Sequence, residues 1–221
     1  MAAGGDRDGY GRGAAVLSVG IGITGLVTYA YFALASHSLT EAEYGRITLL
    51  WSAVFVTVCI LYRPVEQLLS RTIADRAARG AAGDRHLRVA ATIQLALGLA
   101  FLAGALAFRD RIEDDLFGGS AELYWTLVVA VLAYAVSYFA RGFLAGSHRF
   151  GLYGGLVFME AVSRALFALA VAVGIASGQS VVALGIAAAP IVSLAVVPWA
   201  LRRHVARTAA GDLTPAEAAE A

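Results

Sequence analysis

The sequence predicts an all-α fold: a polytopic membrane helix bundle of six transmembrane helices with both termini cytoplasmic. Three observations carry this. Of 221 residues, 59% are hydrophobic and 15% charged, and the mean hydropathy of +0.72 leaves too little polar surface to clothe a soluble domain. Six charge-poor intervals approach the roughly 20 residues that a helix needs to cross about 30 Å of hydrocarbon. The arginines also alternate in density from one connecting segment to the next, as cytoplasmic and external loops do.

The elements follow in order. The first span, Gly13 to Ser36, comes after Arg7 and Arg12. That pattern is shared with signal peptides, but the apolar run exceeds the roughly 7 to 15 residues of a cleaved core, so a retained span is expected. The second begins at Ile47 and stays uncharged to Tyr62, before a polar stretch with Pro64, whose missing N–H predicts a kink. The third runs from Leu87 to Phe108 and the fourth from Leu123 to Ala140. Ala165 to Leu201 carries no charge but is too long for one span, and Ser177-Gly178-Gln179-Ser180 splits it. Helix five is then about Gly151 to Ala176 and helix six about Val181 to Leu201. No segment alternates with period two over about ten residues, which argues against a β-barrel.

Arg7, Arg12, Arg71, Arg76, Arg79, Arg85, Arg88, Arg141, Arg149, Arg202, Arg203 and Arg207 fall on one side of this topology. Only Arg46, Arg109 and Arg111, beside the acidic run Glu113-Asp114-Asp115, fall on the other. Both termini are therefore expected in the cytoplasm. The chain divides into a cytoplasmic N-terminus (1–13), a six-helix lobe (14–205) and a mobile cytoplasmic tail (206–221). In the tail, Thr214-Pro215-Ala216-Glu217 offers at most a short helix start.

Composition also bears on chemistry. The net charge of +1 gives no field to attract nucleic acid. All seventeen basic residues are arginine and there is no lysine, so a phosphate-binding P-loop and lysine Schiff-base chemistry are excluded. Without asparagine there is no N-glycosylation acceptor, and the single Cys59 forms no intramolecular disulfide. His37, His86, His148 and His204 lie in separate loops or ends, and the serines of the spans lack a partnered histidine and aspartate. No catalytic residue, metal site or cofactor is expected, and the chain is not read as an enzyme.

Ionisable groups within the spans are the strongest pointers to function, because each costs a few kcal/mol in lipid unless it meets protein, water or a counter-charge. Arg63, Glu66, Gln67 and Ser70 stand at i, i+3, i+4 and i+7, one face of helix two. They either line a cavity or reach the headgroup region and snorkel there. Glu160 and Arg164, four residues apart on helix five, lie deeper, with Glu160 roughly 14 Å in from Gly151 at 1.5 Å per residue. They form either a structural ion pair or part of a binding site. Tyr29, Tyr31, Tyr134, Tyr138 and Tyr153 read as packing or interface residues. Gly142-x-x-x-Gly146 and Gly151-x-x-x-Gly155 would permit close helix approach.

Several stretches together resemble the lipid-linked oligosaccharide (polysaccharide) flippases of the multidrug/oligosaccharidyl-lipid/polysaccharide exporter superfamily. They are Ala33-Leu34-Ala35 followed by Leu39-Thr40-Glu41-Ala42-Glu43-Tyr44-Gly45, with a Thr40/Glu43 capping box, then Arg141-Gly142-Phe143-Leu144-Ala145-Gly146, Arg149-Phe150-x-x-Tyr153 and Glu160-x-x-x-Arg164. The likeness spans roughly residues 12 to 205. It implies a multi-pass protein of the bacterial cytoplasmic membrane that moves an undecaprenyl-pyrophosphate-linked sugar between leaflets for cell-envelope polysaccharide biosynthesis. Arg63 and Arg164 would then contact the pyrophosphate, with Glu66, Gln67 and Glu160 completing the binding site. Family members carry two six-helix lobes, so this chain is either an N-terminal portion of a longer protein or a lobe that pairs with another chain or with itself. Partners are accordingly a lipid-linked oligosaccharide, membrane lipids and a second lobe or homodimer. The alternatives are a drug or ion antiporter of the same superfamily and a non-transporting scaffold subunit of a polysaccharide export machine.

Overall fold

A computed structural model describes residues 5–80 and 85–211, with side chains described at 20, 22–80 and 85–195. Among the described residues all regular secondary structure is helical and there is no strand. The elements are α1 (Gly5–Ser38), α2 (Glu41–Leu61), α3 (Arg63–Ala78), α4 (Arg85–Ala107), the single turn α5 (Arg109–Arg111), a π-helical turn (Ile112–Leu116), α6 (Ala121–Gly146), α7 (Phe150–Ala172) and α8 (Gln179–Gly211). Among the described residues four helices, α2, α4, α6 and α7, are long and apolar enough to cross a bilayer. Leu26, Tyr29, Ile60, Leu95, Leu99, Val136, Leu166 and Leu184 all turn outward from the bundle. An apolar surface of that extent suits lipid and not water, so the chain is compatible with a membrane-embedded helical bundle.

Each boundary has a local cause. Thr40 caps α2: its hydroxyl accepts from the Glu43 N–H at 3.4 Å, and the Glu43 carboxylate accepts from the Thr40 N–H at 3.0 Å. This is the capping box read from the sequence. The expected second helix is two helices, α2 and α3, separated at Tyr62. Pro64 stands in the first turn of α3, where its missing N–H is tolerated. The segment bearing Arg71 and Arg76, read as the second loop, is the outer half of α3. Gly178, at φ +89°, supplies the left-handed conformation at the break between α7 and α8.

Helix α6 sits at the centre, with 56% of its most apolar window buried against 22% for the peripheral α2 and α4. It touches α2, α3, α4, α7 and α8, while α1 packs along α7 and α7 along α8. Its glycines set the crossing with α3. A Cβ on Gly142 would stand 2.9 Å from the Glu66 carbonyl oxygen, and one on Gly146 would stand 2.7 Å from Ile73 Cβ. The Gly142/Gly146 spacing is therefore a backbone-to-backbone contact. A Cβ on Gly151 or Gly155 would meet nothing within 4 Å among the described residues, so no such contact requires a glycine at either position.

Helix α6 also runs past the expected end at Ala140 to Gly146, which puts Arg141 inside a helix instead of in a loop. Helix α1 begins at Gly5, within the segment read as the N-terminus, and α8 continues to Gly211, within the segment read as tail. The Thr214-Pro215-Ala216-Glu217 signal lies outside the described residues, as do the side chains of Arg7, Arg12, Arg202, Arg203 and Arg207.

Candidate functional site

Helix α7 carries one carboxylate at its midpoint, Glu160, which is 2% exposed. A lone carboxylate at that depth is costly, so its partners decide whether it stays charged. Three side chains surround it. Arg141 Nη2 on α6 forms an ion pair with Glu160 Oε2. Ser137 Oγ, one turn earlier on α6, donates to Oε1 at 2.5 Å. Ser193 Oγ on α8 lies 3.4 Å from the same oxygen while donating to the Pro190 carbonyl at 2.9 Å. Three helices thus converge on one acidic group.

Arg141 is held a second way, its guanidinium lying 4.6 Å from the centre of the Tyr138 ring. Such a cation–π contact is worth about 0.5 to 2 kcal/mol, more as water is removed. Tyr134, one turn before Tyr138, accepts a hydrogen bond from Arg164 Nη1 at 2.8 Å. Helix α6 therefore presents Tyr134, Ser137, Tyr138 and Arg141 at i, i+3, i+4 and i+7, a polar stripe aimed at α7.

Beside these groups lies a cavity of about 210 Å³ bounded by α1, α2, α6, α7 and α8. Its polar wall holds Arg141, Arg164, Glu160, Tyr134 and Tyr138, and its apolar wall is built from α2, including Trp51, Val54 and Val58. Two guanidinium groups face one carboxylate, so the lining carries one excess positive charge. Arg141 Nε and Arg164 Nε are both buried without a hydrogen-bond partner. A surplus cation in the wall of a hollow can receive an anion through charge-assisted contacts.

Only part of the expected site assembles here. Glu160 and Arg164 line the cavity, but among the described residues no ion pair joins them: Glu160 pairs with Arg141, and Arg164 with the Tyr134 hydroxyl. Arg63, Glu66 and Gln67 do not line it. At about 100° per residue the four polar positions of α3 do share a face. The buried face, however, is centred on Val65 and Leu69, so Glu66 and Ser70 reach its edge while Arg63 and Gln67 are exposed. Glu66 accepts from the Tyr153 hydroxyl at 3.1 Å, tying α3 to α7.

The sequence reading missed Arg141, Ser137, Tyr134 and Tyr138. The signal was present, since their spacing repeats the pattern recognised at Arg63. Ending helix four at its first charge hid it.

No protein-family model matches the chain, and no curated protein or solved structure is detectably similar to it.

Proposed function

We propose that the chain is a transporter, or one lobe of a transporter, that carries an anionic lipid-linked oligosaccharide headgroup across the bacterial cytoplasmic membrane. The observation that carries the reading is the intramembrane cavity lined by two arginines to one carboxylate. Hydrocarbon opposes a pyrophosphate far more than it opposes the sugar, so a carrier must first supply buried, fixed cations. Arg164 is the better placed of the two, because the hydroxyl of Tyr134 leaves its charge uncompensated, whereas Glu160 neutralises Arg141. The residues that resemble the oligosaccharide flippases support the same substrate class. They include Arg141, Tyr153, Glu160 and Arg164, three of which line the cavity.

In this reading the chain has six spans with both termini cytoplasmic, and a second lobe, from another chain or a second copy, closes the open side of the pathway. Tyr134 and Tyr138 orient the arginines, and Glu160 holds Arg141 until a headgroup arrives.

The test is complementation of a bacterial strain defective in polysaccharide export, with membrane abundance measured in parallel. Arg164→Gln should abolish export at normal abundance, and Arg63→Ala should leave it near wild type. Full export by Arg164→Gln would overturn the proposal.

A further inference from the structure

A second basic site lies between α3 and α4, away from the central cavity. The two helices pack against each other over a small core of Val65, Leu69 and Ala90. Between them runs a groove of about 290 Å³. Its residues are graded along its length. Arg76, Arg85 and His86 lie at the end near the connection, while Leu68, Val89 and Ile93 continue along it and turn outward, at 57%, 52% and 38% exposure. From Arg85 to Ile93 the groove extends about 12 Å at 1.5 Å per residue. Arg71 and Arg88 stand close by in sequence, as do Asp84 and Asp75, the latter paired with Arg79 at 2.9 Å.

A cationic end that passes into an exposed apolar channel complements a molecule with an anionic head and a hydrocarbon tail. A soluble anion would use the first half and leave the second bare. Apolar protein contacts alone would have no use for the arginines. We infer that the α3–α4 groove binds an anionic phospholipid, with the headgroup phosphate at Arg76 and Arg85 and an acyl chain along Leu68, Val89 and Ile93. This does not rest on the transport reading. It requires only that the chain be embedded in a bilayer.

The experiment uses the full chain in nanodiscs of phosphatidylcholine doped with phosphatidylglycerol, with bound lipid counted by native mass spectrometry after release into mild detergent. The wild type should retain phosphatidylglycerol in preference to phosphatidylcholine. Arg76→Gln/Arg85→Gln should weaken that preference roughly thirtyfold, at about 1 kcal/mol for each arginine near the surface. Val89→Trp, which fills the groove without altering charge, should also reduce it. The control Arg109→Gln/Arg111→Gln should leave it unchanged. Equal retention of the two lipids by the wild type would overturn the inference, and so would an undiminished preference in Val89→Trp. An equal loss in the control would assign the effect to general surface charge and overturn it as well. Export assays on the same variants are independent, so failure here leaves the cavity proposal standing.

Discussion

Glu160→Gln tests whether the buried ion pair holds the bundle together or serves only its cavity. The substitution keeps the shape and the acceptor for Ser137 but removes the charge opposite Arg141, which is 9% exposed. Breaking one side of a buried pair costs about 3 to 5 kcal/mol, because the remaining ion is left uncompensated. The Tyr138 ring at 4.6 Å faces Arg141 in both proteins and so offsets nothing. Arg141 lines the cavity and is not enclosed by packed side chains on every side, and that places the expected loss at the lower end, about 3 kcal/mol, or some two powers of ten in the unfolding equilibrium. Removing the orphaned charge as well, in Glu160→Gln/Arg141→Met, should recover stability to within about 1 kcal/mol of wild type, since neutral replacement of a buried pair is often without cost. The assay is reversible unfolding in mixed micelles, followed by circular dichroism, on the wild type, both single variants and the double. A loss below 1 kcal/mol in Glu160→Gln would refute the reasoning, as would a double variant no more stable than Glu160→Gln. The double variant also separates the two roles of the pair: it should fold yet fail to export, whereas a purely structural pair would allow both.

Further outcomes follow from other contacts. Gly146→Ala places a methyl group 2.7 Å from Ile73 Cβ and 2.8 Å from the Ser70 carbonyl oxygen, so α3 and α6 must separate. It should cost about 1 to 3 kcal/mol in the same unfolding assay, whereas Gly155→Ala, with nothing within 4 Å, should cost nothing measurable. Tyr134→Phe removes the hydroxyl that orients Arg164 and should impair export while preserving stability to within about 1 kcal/mol, read by complementation beside unfolding. Thr40→Ala breaks the capping box at the start of α2 and should lower stability by about 0.5 to 2 kcal/mol without affecting export.

The legibility of the fold varied with the physics of each element. The long apolar runs, the Thr40 cap and the Ser177-Gly178 break were readable because hydrocarbon, orphan N–H groups and left-handed backbone impose local demands. The ends of α6 and α3 were not. A charge ends a span only when it has no partner inside the protein, and Arg141 has Glu160 and Tyr138. The outer half of α3 looked like loop because its arginines are polar, yet a helix is indifferent to charge on its exposed side.

The same distinction governs the site. Composition and periodicity by themselves determined that the protein is helical and apolar, and that Glu160 and Arg164 stand within one long apolar helix. They also determined that α3 carries Arg63, Glu66, Gln67 and Ser70 on one side. Which side faces the bundle was decided by the close approach of Gly142 and Gly146 to α3, which turns Val65 and Leu69 inward and leaves Arg63 outside. Only the packing of α6 against α7 gave Glu160 its partner nineteen residues back along the chain, in place of the arginine four residues ahead. Spacing along one helix states which side chains are able to meet, but a buried charge settles on whatever counter-charge the neighbouring helix brings nearest, and that distance exists only once the helices have packed.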